Sequence, residues 1–319
     1  SEPVTTADPT LLPPPENRPG AASPQNRGLL LAALGVAISV VGLFTEGGVQ
    51  RFAHDWLWGF AFLWCLVLGS LFFVALHHVT GAVWSTVLRR VAEMFAAPVG
   101  LVALLFAPIL LIAIFGGFGE LYPWADPAVV EGDHLLEGKT PYLNLPFFFI
   151  RAAAFLLIWL LYSRLFVGRS LAQDRGELGP EATKSMRRAS SHFMVVMAFT
   201  VSFAAIDWLM SLDPHWFSTI FGVYVWSGMV VTALSCITLA TFWLRSRGRL
   251  GDGLVRDDHL YNLGALLFAF VCFWGYIAFS QYMLIWYANI PEETVWYAHR
   301  MGHGWLAVLI GLVVLRFIL

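Results

Sequence analysis

The stretch "IDWLMSLDPHW", residues 206–216, gathers the side chains best suited to chemistry. Asp207 lies inside an apolar run long enough to cross a bilayer, four residues before the run ends at Ser211. At the helical rise that puts it roughly 6 Å below the boundary. A carboxylate at that depth must face protein or water. Desolvation penalises its ionised form, which makes it a candidate proton carrier; the competing reading is an acid hydrogen-bonded to a neighbouring helix. Ser211, one turn on, would extend a polar track on the same face. Asp213 followed by Pro214 reads as a helix start, an aspartate N-cap with proline at the first helical position. His215 and Trp216 then fall at the membrane interface, where aromatic rings anchor spans. His215 suits that place better than it suits a metal. Asp213 and His215 remain proton-transfer candidates beside Asp207.

Further polar residues share this layer. Glu120 stands in "GGFGE", Tyr224 two turns into the sixth apolar run, and Ser280 and Gln281 interrupt the seventh. Glu120 and Tyr224 add to the proton-transfer set. A quinone ring needs a few donors in an apolar cleft, and Tyr224, Ser280 and Gln281 supply them; ordinary interhelical hydrogen bonds need the same residue types. "GGFG" lacks the strand–turn–helix context of a nucleotide loop. A second layer lies at the other end of the runs. His77 and His78 close the second run, Arg89, Arg90 and Glu93 follow, and His192 and His259 flank later runs. Histidine titrates near neutrality, so His77 and His78 are candidates for passing protons inward. The arginines more often bind headgroups or set topology.

No residue set reads as catalytic or metal-binding. Cys65, Cys236 and Cys272 stand alone in apolar runs and form no CxxC or CxxCH pattern, so they read as small buried residues. The histidines sit at run ends or in connections, where a haem would be half in water. Thr232, Ser235, Thr238 and Thr241 form a polar stripe in the sixth run, suited to a proton path or to close helix packing.

These residues are carried by a chain that is 58% hydrophobic and only 13% Asp, Glu, Lys and Arg, against roughly 25% charged in a soluble domain. Eight apolar blocks occur, at 29–44, 56–79, 96–115, 147–167, 193–211, 217–244, 263–287 and 305–319. Backbone in lipid must satisfy itself, so uncharged blocks of this length predict helices. Strand alternation is absent, which argues against a barrel. The expectation is an all-α polytopic membrane protein with eight visible spans, the last cut short at Leu319. Pro98 suits a helix start and Pro108 should kink the third span. Residues 1–28 are polar and proline-rich, and read as a disordered cytoplasmic tail before a transmembrane domain at 29–319. Net charge is near zero, so nothing points to nucleic acid.

Connections 80–94, 168–190 and 245–259 hold 11 Lys and Arg, whereas 45–55, 116–145, 212–216 and 288–304 hold 3. The positive-inside bias puts the first set and the amino terminus in the cytoplasm, with Arg316 at an inner end. "NIPEETVWYAHRMGHG" predicts a short interfacial helix with Glu292 and Glu293 near its start, His299 and Arg300 near its end, and Gly302 or Gly304 as its stop. "HDWLWGFAFLW" (54–64) and "HWFSTIFGVYVW" (215–226) open the second and sixth spans alike, a hint of two related bundles.

Three stretches, "HHVTGAVWSTVLRRVAE" (77–93), "DWLMSLDPHWFSTIFGVYVWSG" (207–228) and "FSQYMLIWYANIPEETVWY" (279–297), resemble the F subunit of bacterial alternative complex III. That family is a quinol:cytochrome c or electron-acceptor oxidoreductase, and the subunit is often named quinone-binding subunit 2. The resemblance runs from about Leu29 to the end. It implies a fold similar to polysulfide-reductase (NrfD-type) membrane subunits, two four-helix bundles plus peripheral helices, the first bundle at about 54–212 and the second from about 213. It also implies an NrfD-like sister subunit, partners carrying haem c and iron–sulfur clusters, a terminal oxidase as a further associate, surrounding lipid, and quinone or menaquinone as ligand. The expected role is a membrane scaffold without a redox centre of its own, in the bacterial cytoplasmic membrane, with quinone binding and proton translocation as candidate activities. The alternative is a secondary transporter of repeated helix bundles, for which Pro108 and Gly222 are the hints.

Overall fold

The computed structural model describes residues 24–318, apart from Glu46, Gly116, Pro180, Asp252 and His303. Most of the tail expectation therefore lies outside the described residues, while 24–28 are helical. Two compact units occur, one up to Phe52 and the other Ala53–Leu319. No strand occurs among the described residues. α1 (Pro24–Leu43) and α2 (Gly48–Thr80) carry the first two apolar blocks. The third block comes in three pieces, α3 (Thr86–Ala96), α4 (Val99–Leu105) and α5 (Ala107–Ile114). A connection with three short helices follows: α6 (Phe118–Leu121), α7 (Pro127–Val130) and α8 (His134–Lys139). The long helices α9 (Leu145–Asp174), α10 (Glu181–Trp208), α11 (Phe221–Ser246) and α12 (Asp257–Ala288) then alternate in direction. α13 (Pro291–Met301) and α14 (Trp305–Ile318) close the described chain. Seven of these helical segments are long and apolar enough to cross a membrane, with α3–α5 as one; the bent pair α13 and α14, at 86°, would make eight. α13 is the short helix the sequence predicts in this connection, with Gly302 as its C-cap.

α2 is the central element of the larger unit. Its Trp64 meets Trp159 of α9 and Trp208 of α10, with ring centroids 6.1 Å and 5.2 Å away, and all three indoles are fully buried. Lipid tails are as apolar as these rings, so their burial gains little from water exclusion; close packing and interhelical hydrogen bonds hold membrane helices together. Small residues allow that packing. A Cβ on Gly69 would lie 2.4 Å from the Met229 carbonyl oxygen of α11, so α2 and α11 meet backbone to backbone here. Gly222 does the same for α11 against Ser202 of α10, where an added Cβ would sit 2.7 Å from the serine Cβ.

Both prolines of the third span interrupt it. Helix restarts after Pro98 and again at Ala107, one residue before Pro108. The carbonyls freed by the breaks are recaptured from neighbouring helices, as hydrocarbon demands. Ser163 of α9 donates to Ala96 O at 2.8 Å, and Trp56 of α2 donates to Leu105 O at 2.8 Å.

Candidate functional site

Asp207, at the last turn of α10, is completely buried and ion-paired. Arg151 of α9 reaches it with two parallel bonds, Nε to Oδ2 at 2.7 Å and Nη2 to Oδ1 at 3.0 Å. Nη1 of Arg151 donates to Tyr142 O at 3.0 Å, and the guanidinium lies 3.9 Å from the Tyr142 ring centroid and 4.2 Å from that of Phe147. All the geometry a fork–fork pair needs is therefore present. This realises the structural reading of Asp207, an acid bonded to a neighbouring helix. Ser211 does not extend a track from the carboxylate; its hydroxyl donates to the Asp207 backbone carbonyl at 2.5 Å. Sequence reasoning missed Arg151. The available signal was a cation one turn inside the fourth apolar block, level with an acid near the corresponding end of the fifth.

The stretch after Asp207 corrects a second expectation. Asp213 does not cap the sixth span. It follows a short 3-10 turn, Met210–Leu212, and α11 begins only at Phe221. The intervening residues are held by the 117–144 connection instead. Tyr122 donates to Trp208 O at 3.0 Å, Lys139 to Pro214 O at 2.6 Å, and His215 Nε2 to Asp133 Oδ2 at 2.6 Å. Two of these bonds satisfy backbone carbonyls, at Trp208 and Pro214, and the third ties the stretch down side chain to side chain. His215 hydrogen-bonds the Asp133 carboxylate and holds it below the usual carboxylate range, with the Leu136 backbone N–H adding to the effect. Burial pushes the Lys139 ammonium down, opposed by Asp133 and Asp213 nearby. The Tyr122 and Tyr142 phenols are pushed up, chiefly by burial and further by the Asp207 charge. Glu120 is exposed on α6 and makes no ion pair among the described residues.

At the opposite end, His77 and His78 are both buried. His77 Nδ1 donates to Phe73 O at 2.7 Å, within its own helix. The His78 ring stacks on Phe166 at 6.0 Å, and its Nε2 has no partner among the described residues. Glu93 of α3 is buried between Arg90, at 2.6 Å, Arg89, at 3.3 Å, and Ser170, whose hydroxyl donates to it at 2.9 Å. Arg90 also pairs with Asp174. His259 is a helix cap, its Nδ1 accepting from the Arg256 N–H at 3.0 Å, and His192 donates to Arg188 O at 2.9 Å on its own helix. The hydroxyls of Thr232, Ser235, Thr238 and Thr241 each donate to the carbonyl four residues back, at 2.7–2.8 Å. Their protons are thus committed within α11, and of the four only Thr241 is buried.

The quinone candidates divide. Tyr224 lies with its ring 6.0 Å from Trp274. Gln281 is buried on the same face of α12 as Trp274 and Ile277, and its side chain makes no hydrogen bond among the described residues. Ser280 points about 100° around the helix from Gln281, away from that face. Above them Trp216 stacks on Trp296 at 4.1 Å, with Arg300 over the Trp296 ring. Arg316 lies in the last turn of α14 but is half-buried against α12. Its guanidinium lies 4.0 Å over the Trp274 ring, and Trp274 is two residues from the middle of the 32-residue α12. Cys272, expected inside, is exposed on the helix surface. No family model matches the chain, and no curated protein matches it.

Proposed function

We propose that the chain is an integral subunit of a respiratory quinol oxidoreductase of the alternative complex III type. In this reading the eight visible spans cross the bacterial cytoplasmic membrane from a cytoplasmic amino terminus, as a peripheral helix, a first four-helix bundle and the visible part of a second. It seats an NrfD-like sister subunit and partners bearing haem c and iron–sulfur clusters, and it carries no redox centre itself. The supporting observation is that two of the three resembling stretches, 207–228 and 279–297, converge through the Trp216–Trp296 stack. Below that stack lies the Tyr224–Trp274 face with the unpartnered Gln281 amide.

Those residues fit the head group of a quinone or menaquinone. Gln281 and Tyr224 would donate to its carbonyl oxygens and Trp274 would offer an apolar ring face; the quinone would supply the two-electron carrier. Among the titratable groups, His78 takes the proton-transfer role in preference to Asp207, because its Nε2 is buried without a partner whereas Asp207 is locked by Arg151.

Mild-detergent purification of the tagged chain tests the reading. Haem c absorbance and an extractable quinone should accompany it, and Gln281→Leu should lower the quinone content while the haem remains. A chain that purifies alone, without haem or quinone, overturns the assignment. The broken third span also suits a transporter, whose sites form at discontinuous helices. Here, however, Ser163 and Trp56 occupy the freed carbonyls at 2.8 Å. Substrate-stimulated uptake by vesicles holding the chain alone would favour that second reading.

A further inference from the structure

Each charged side chain buried among the described residues has an opposite charge within 3.3 Å: Arg151 with Asp207, and Glu93 with Arg89 and Arg90. Arg316, half-buried on α14, is different. It has neither an ion pair nor a hydrogen bond among the described residues. Its neighbours are the Trp274 ring, at 4.0 Å, and, within electrostatic reach, Tyr224 and Cys65. Cys65 is one residue from the middle of the 33-residue α2, as Trp274 is two from the middle of α12. Level with the centres of two full-length spans, Arg316 stands near the bilayer midplane, too deep to reach lipid headgroups.

We infer that α14 is a docking helix, and that Arg316 receives the carboxylate of an Asp or Glu lying at mid-membrane in a transmembrane helix of another subunit. Charge decides the occupant. A guanidinium stays ionised in a protein, and its planar fork matches a carboxylate bidentately. A neutral carbonyl ligand would leave the charge uncompensated, and an arginine at a span centre is costly without compensation. The rest of α14 offers the apolar surface such a helix needs: Leu309, Leu312 and Val313 are all exposed. The inference is independent of the electron-transfer reading, since any membrane partner with that acid satisfies it.

The test places a photo-cross-linking residue at position 312, one turn from Arg316 on the same face, in the full chain expressed in its native membrane. The adduct should map to a transmembrane segment of a different polypeptide with an Asp or Glu inside the span. Arg316→Glu should lower recovery of that partner by about tenfold or more, as loss of one bidentate pair implies. Arg316→Lys should keep it, and Arg316→Glu combined with Arg at the partner's acidic position should restore it. Monodispersity in detergent identifies any variant that fails to fold, and the cross-link in the otherwise unaltered chain then decides. An adduct to lipid, to a quinone, to another part of the same polypeptide, or to a span without an acid overturns the inference.

Discussion

Asp207 shows how one side chain changes meaning with its neighbour. Replacing one member of a buried ion pair strands the other's charge, at a cost of about 3–5 kcal/mol, whereas replacing both with apolar groups is often neutral. Asp207→Asn should therefore lower thermal stability in detergent sharply, and Arg151→Met with Asp207→Leu should recover most of it. A pure proton carrier would behave otherwise, with Asp207→Asn leaving stability intact. Outside the spans, Asp133 sets a pH dependence. His215 holds its carboxyl below the ordinary range. A depressed folded value means the contact stabilises above the unfolded value, about 4, and is lost as pH falls through the folded one. Amide exchange in 133–139 should accelerate on acidification, and Asp133→Asn, which keeps a cap, should flatten that response. An unchanged acid response in the variant would place its origin elsewhere.

Helix packing depends on close approach at a few small residues. Gly69 admits the Met229 carbonyl, so Gly69→Val should force α2 and α11 apart, costing about 1–3 kcal/mol, the usual range for overpacking. A melting temperature equal to that of the parent would show that the two helices do not meet there. At this scale most of the fold was legible. Uncharged blocks gave the spans because lipid leaves the backbone no other choice, and Pro98 and Pro108 both marked breaks, although Pro98 was read only as a start. The start of α11 was not legible: Asp213–Pro214 carries a sound local cap signal, but Lys139 and His215 tie that stretch to a distant connection. The Arg151–Asp207 pair was half visible, since each charge can be seen in its own block while their meeting requires knowing that α9 and α10 lie level. Arg316 was half legible: it does lie in the last turn of α14, but its seat over the Trp274 ring depends on how α12 and α14 pack, which a single block does not reveal.

For the molecule as a whole, the charge asymmetry of the connections makes a directional prediction. A single cysteine at Glu177 should react with a membrane-impermeant thiol reagent only from the cytoplasmic side, and one at Glu131 only from the outside, in a background lacking Cys65, Cys236 and Cys272; the reverse pattern would invert the topology. The pairing of Arg151 with Asp207 has one more consequence, for biogenesis. α9 entering lipid alone would expose an arginine, and α10 alone an aspartate, each unfavourable near a helix end by a few kcal/mol at most but uncompensated. Only a few residues separate the two helices, from Arg175 to Pro180. Released from the insertion machinery as a hairpin, the two cancel one another before either meets acyl chains, so the order in which the polypeptide leaves the ribosome is already the order its charges require.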